Sequence, residues 1–210
     1  MSFKVFTYKR FRNRLFKLIS EIENSSLVEV VVIAKPQSYH YNDIYLWVSF
    51  VGMLLVFSYM MFASILIDMY LIYIYTIISF PLIYLLLHIF PGLGRIFISK
   101  KRKSRNVEIF ARAIFQKAGI RYTNERIGVL FYISYFEKMV YVIPDRGAYM
   151  KLPDNLWKEI SEEMNKIFKS GRPQEKFLEV LSRTKATFAK YIPPIENDIN
   201  ELPDNIKVEL

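Results

Sequence analysis

Five carboxylates stand where loops are expected: Asp43 after an apolar run, Asp145 in PDRG, Asp154 in KLPDN, and Glu201 and Asp204 in the tail NELPD, which opens with Asn200. Oxygen donors of this kind suit calcium and magnesium, hard cations that prefer carboxylates and carbonyls. Asp43, Asp145 and Asp154 are therefore the candidate metal ligands. Asp154 and Asp145 also have plainer readings. Asp154 precedes NLWKEI, and the N-cap of a helix outweighs a ligand there. Asp145 is placed to accept hydrogen bonds from turn amides, and Arg146 reads as a surface charge rather than a phosphate clamp. His40 and His88 are too few and too far apart for a histidine metal cluster, and cysteine is absent, which removes disulfides, thiolate zinc sites and a thiol nucleophile. PGLG at 91–94 lacks the Gly-Lys-Ser/Thr of a phosphate loop and reads as a turn leaving a membrane.

Few of these acids lie in the middle of the chain, where the composition changes sharply. Of 210 residues, 52% are hydrophobic, and between Asp43 and Arg95 the single formal charge is Asp68. A helix needs about 20 apolar residues to cross roughly 30 Å of hydrocarbon. The run from about Ile44 to Phe90 is long enough for two crossings, so a two-helix transmembrane hairpin is expected, with Asp68 in its turn and Pro81 bending the second helix. Tyr45, Trp47, Tyr70 and Tyr73 fall near the helix ends, as aromatic belts do.

The net charge of +9 is unevenly placed: Lys and Arg flank the run on both sides and are missing from its turn. The positive-inside rule puts both termini and the remainder of the chain in the cytoplasm, on the inner membrane. Directly after the second helix, KKRKSR supplies Lys100, Lys101, Arg102, Lys103 and Arg105. Their position favours anionic lipid headgroups over nucleic acid as the partner. The N-terminal stretch MSFKVFTYKRFRNRLFKLIS has no apolar core of signal-peptide length and reads as mature protein.

The elements around the hairpin read as one small domain. Phe11, Leu15, Leu18 and Ile22 recur at helical spacing up to Asn24-Ser25-Ser26, and LVEVVVIAKP is a β-branched strand ended by Pro36. VEIFARAIFQKAG is a helix closed by Gly119, and GVLFYISYFEKMVYVIP is two strands turning at 135–138. Two amphipathic helices follow, from Asp154 and from Pro173. The order predicts an α/β fold, a small mixed sheet covered by helices, divided as 1–43, the hairpin 44–94, 95–195, and a tail 196–210. The strands over 28–33 and 128–133 should be parallel neighbours, since a helix lies between them. Open α/β sheets bind ligands at the carboxyl ends of such strands.

Thr123 to Gly147 (TNERIGVLFYISYFEKMVYVIPDRG), followed by Trp157, resembles the TPM domain, named from plant thylakoid, Psb32-like and bacterial YgcG-like proteins. The likeness extends over about residues 13–204. The bacterial membrane-bound branch is closer, with two spans after the first strand and a tail like Asn200-Glu201-Leu202-Pro203-Asp204. This resemblance implies an α/β sandwich. It also carries acid phosphatase activity, calcium binding and membrane-protein maintenance as functions of family members. Leu152-Pro153-Asp154 matches a Leu-Pro-Asp of the YgcG-like branch, making Asp154 the first and Asp145 the second candidate catalytic residue. Two functions follow: a membrane-tethered binding or accessory module with a membrane-protein partner, or a metal-dependent phosphatase.

Overall fold

A β-branched run with no polar alternation has to be covered on both faces, and that requirement organises the domain. The structure, a computed structural model, describes residues 9–63, 67–120, 126–194 and 208–209. Strand β1 (Glu29–Lys35) pairs in parallel with β2 (Gly128–Ser134), from Glu29 against Gly128 to Lys35 against Ser134. Strand β3 (Met139–Pro144) returns antiparallel along β2, and a two-residue strand β4 (Val208–Glu209) pairs in parallel with β1. The order across the sheet is β3-β2-β1-β4. The mixed α/β sheet and the parallel pairing are thus as expected. The turn also falls at 135–138, with Lys138 at a φ of 53°.

Alternate residues of the strands feed two separate cores. Val30, Val32, Val129, Phe131 and Ile133 face one side, against helix α1 (Lys9–Glu23) and two later helices. On α1 the buried stripe is Phe11, Leu15, Ile19 and Ile22, so Ile19 takes the place expected of the partly buried Leu18. Val31, Ile33, Leu130 and Tyr132 face the other side, packed with Val107, Ala111 and Phe115. Gly128 opens β2 where a Cβ would lie 2.3 Å from Ile120 Cγ2 and 3.1 Å from the Ile120 carbonyl oxygen, so no side chain fits there.

Two helices interrupt the domain between β1 and β2: α2 (Asn42–Phe62) and α3 (Met69–Ile89), each of 21 residues, long and apolar enough to cross a membrane. At 1.5 Å per residue each reaches about 30 Å. Asp68 caps α3 by accepting from Tyr70 N–H at 2.8 Å. The two helices approach where side chains are small. A Cβ on Gly52 would come within 2.6 Å of Ile83 Cδ1, and Ser49 and Ser79 are buried. Their hydroxyls donate to carbonyls of their own helices, Tyr45 and Thr76, so neither is left unsatisfied.

Downstream, PGLG is not a turn but a short helix, α4 (Pro91–Gly94), continued by a 3-10 turn over Arg95–Phe97. Gly94 lies so close to the Tyr45 ring that a Cβ would meet it at 2.6 Å. The basic stretch is also helical. Helix α5 (Lys100–Lys117) begins seven residues before Val107 because Ser99 Oγ accepts from Arg102 N–H at 3.3 Å and caps it. Gly119 follows at a φ of 70°. Among the described residues three further α-helices follow: α6 (Arg146–Lys151), which the sequence reading missed, α7 (Asp154–Lys166), continued by a 3-10 turn over Ile167–Lys169, and α8 (Pro173–Tyr191). The chain divides into two compact units, Met1–Ser38 with Ser104–Leu210, and Tyr39–Lys103.

Candidate functional site

Each candidate acid has a partner that limits what it can do. Asp43, in the first turn of α2, is ion-paired with the Arg102 guanidinium, which also lies 6.0 Å over the Tyr41 ring. Asp145 is the N-cap of α6: Oδ1 accepts from Arg146 N–H at 2.7 Å, and the residue is 8% exposed. Its other oxygen, Oδ2, is buried and has no hydrogen-bond partner among the described residues.

Asp154 is not the N-cap that its sequence position suggests. Pro153 occupies the cap with extended backbone, so Asp154 starts the helix itself, where the positive end of the dipole favours an acid. Its carboxylate hydrogen-bonds the Tyr149 hydroxyl, and that contact and its negative charge raise the phenol pKa. Asn200, Glu201 and Asp204 lie outside the described residues. Among the described residues, no group of three or more His, Cys, Asp or Glu side chains could hold a metal ion. Calcium asks for six to eight oxygen donors, and Asp145 Oδ2 offers one. The described donor set does not fit a divalent cation.

A groove of about 490 Å³ runs beside Asp154. Four consecutive residues of β3, Tyr141 to Pro144, form its floor, with Arg112 of α5 on one wall and Trp157 and Lys158 of α7 on the other. Arg112 is held by Glu108 at 2.9 Å. The Tyr141 hydroxyl joins that pair, and burial, with Glu108 beside it, pushes its pKa up. The groove therefore has mixed charge and fixed donors.

A second polar group sits at the carboxyl ends of β1 and β2, and the sequence reading did not identify it. Glu137, 3% exposed, accepts from Ser38 N–H at 3.1 and 3.3 Å and from the Ser134 hydroxyl. Ser38 Oγ contacts Tyr132 OH at 2.9 Å and Ser134 Oγ at 2.8 Å. Burial pushes the Tyr132 phenol up to about 12. The Ser38 and Ser134 contacts oppose that rise and the Glu137 charge adds to it. These four side chains satisfy one another and are shut away from solvent, so they lock the strand ends together rather than receive a ligand.

Known proteins bear on this arrangement at two levels. Residues 94–187 match the family model for the TPM domain. The fold is similar to the NMR structure of the BA42 protein from the psychrophilic bacterium Bizionia argentinensis, with a TM-score of 0.57 and 16% sequence identity, covering 96% of this chain and 94% of that one. No curated protein sequence matches significantly. The family match begins after the inserted helices and takes in α5, the β2–β3 pair, the groove and most of α8. Residues 94–187 thus resemble the TPM domain, and two apolar helices lie between β1 and β2.

Proposed function

We propose that this is a membrane-anchored TPM module that acts by binding a protein partner in envelope or membrane-protein maintenance, held on the cytoplasmic side of the inner membrane by α2 and α3. The observation that carries this reading is the commitment of the acids. Asp43 is tied to Arg102, Asp145 Oδ1 to the start of α6, and Asp154 to Tyr149. Anchoring is supported by the surface that follows α3. Phe90, Leu93, Ile96 and Phe97 are exposed apolar residues, and the Lys100, Lys101, Lys103 and Arg105 cations come next in sequence. That succession suits a bilayer interface, with apolar groups entering the acyl boundary and cations meeting anionic headgroups.

The rival reading, a metal-dependent phosphatase, draws on the unpartnered Oδ2 of Asp145. Full-length protein in detergent separates the two. The module shows no turnover of p-nitrophenyl phosphate with or without calcium or magnesium. Turnover abolished by Asp154→Asn and by chelation would replace it with the enzyme. Reporter fusions at Asp68 and Leu210 should give opposite signals, with Leu210 cytoplasmic, and a Leu210 reporter active only in the periplasm overturns the orientation. Changing Lys100, Lys101 and Lys103 to Gln should weaken capture by anionic liposomes about fivefold per charge.

A further inference from the structure

The direction of the backbone groups along β3 can be worked out. Asp145 N–H donates inward to the Gly128 carbonyl at 2.7 Å, and Val140 N–H points away from β2, to Asn165 Oδ1 at 3.2 Å. In an antiparallel pair, successive residues alternate between facing the partner strand and facing away. Tyr141 and Ile143 therefore bond to β2, whereas Val142 turns both its N–H and its carbonyl outward, flanked by the outward carbonyls of Val140 and Pro144. No strand lies beyond β3 among the described residues.

This edge is the floor of the groove described above. An exposed row of backbone donors and acceptors is a template for another strand, which proteins ordinarily blunt with a bulge, a charge or a cover. Here the row is closed only at its ends. Asn165 occupies the Val140 N–H, and Pro144 has no N–H to offer. The open stretch between them is centred on Val142 and lies between two walls. Beside it, Trp157 keeps its indole Nε1–H buried without an acceptor among the described residues.

From this geometry we infer that the β3 edge is a docking site for an extended peptide segment of a partner protein, which adds as a strand alongside Val142. The proposal rests on the binding-module reading and names the partner's chemistry. Main-chain bonds to Val142 supply affinity, and the walls read alternate side chains. One set of side chains meets Arg112 and Tyr141 on the α5 side. The other meets Asp154, Lys158 and Trp157 on the α7 side. About five residues of peptide fill the open stretch, given the 3.3 Å rise of a strand residue. A helical ligand does not fit, because it turns its own backbone donors inward.

The test uses full-length protein in nanodiscs and a displayed library of random nine-residue peptides. Selected sequences are then made with single N-methyl groups at each position. The expected result is a peptide whose binding falls at least tenfold on N-methylation at alternate positions, and at least tenfold in Val142→Pro. That substitution removes an outward donor while leaving the β2 ladder intact. Sensitivity at three- or four-residue spacing, or no periodicity, overturns the site, as does equal binding to Val142→Pro. The N-methyl scan uses wild-type protein alone, so misfolding of the variant does not shield the proposal. Concentration-dependent self-association lost in Val142→Pro would assign the edge to a second copy of this chain and overturn the peptide. Co-flotation of the same protein with liposomes reports anchoring separately: a chain that floats but captures no peptide sinks the edge site alone, and one that fails to float sinks the anchored module.

Discussion

The carboxyl ends of β1 and β2 and the outer edge of β3 belong to one small sheet, yet they treat polar groups in opposite ways. At the strand ends, Ser38, Tyr132, Ser134 and Glu137 bond to one another under cover. At the edge, the backbone polar groups around Val142 open into a groove. Open α/β sheets ordinarily bind ligands at the carboxyl ends of their strands. In this chain that position is filled by the protein's own side chains, whereas the outer edge of β3 lines a groove. A fold thus says where a site is convenient, while a few side chains decide whether that place is open.

The contrast can be broken most severely at Glu137. Glu137→Leu strips the acceptor from a buried amide and a buried hydroxyl, and should lower stability by about 2–4 kcal/mol. Urea unfolding in micelles, followed by Trp157 fluorescence in a Trp47→Phe background, measures it. A loss below about 1 kcal/mol would show that the strand ends are not locked by this cluster.

Alkaline pH tests the same cluster through Tyr132. Its folded pKa, about 12, lies above the ordinary phenol value of 10.0. The contribution is fully present below pH 10 and is lost as pH rises from 10 through 12, because the unfolded phenol ionises first. Up to about 2–3 kcal/mol should disappear across that window. Tyr132→Phe should remove this part of the pH slope, and an unchanged slope would put the phenol in contact with water.

Smaller changes sharpen the comparison. Ser38→Ala deletes one hydroxyl from the network while keeping the amide bond to Glu137, and about 1 kcal/mol of stability should be lost in the same urea assay. At the open groove, Asp154→Asn should alter stability by less than about 0.5 kcal/mol, since it touches an exposed helix end. It should instead lower the Tyr149 pKa toward its ordinary value, read by ultraviolet titration against a Tyr149→Phe reference. An unmoved Tyr149 titration would sever the link between α6 and α7 at this point.

Much of the architecture was legible because it rests on local patterns. The apolar runs at 29–35 and 128–134 declare strands buried on both faces, and the apolar stretch split by Asp68 declares two helices. The signals that failed were those set by distant partners or by single capping bonds. Ser38 and Glu137 are 99 positions apart, and nothing near either one announces the other. Lys100 to Arg105 read as a basic flank for headgroups and show no apolar helical spacing of their own, yet Ser99 caps them into the start of α5. Asp154 loses its expected capping role to Pro153, a shift of one residue that no propensity resolves. RGAYMK is too short to show helical periodicity and contains a glycine, so α6 was invisible.

The placement of the two long helices between β1 and β2 also sets an order of events during synthesis. The strand Glu29–Lys35 is made early, but its partner Gly128–Ser134 is made only after both apolar helices. Until then a seven-residue apolar strand has no sheet to join, the condition in which nascent chains aggregate or recruit chaperones. Closing a loop this long by diffusion is entropically unfavourable. A hairpin returns the chain close to where it left, so pairing of α2 with α3 brings the two ends within reach. The chain order alone therefore makes β1 wait for both long helices before the strand it pairs with exists.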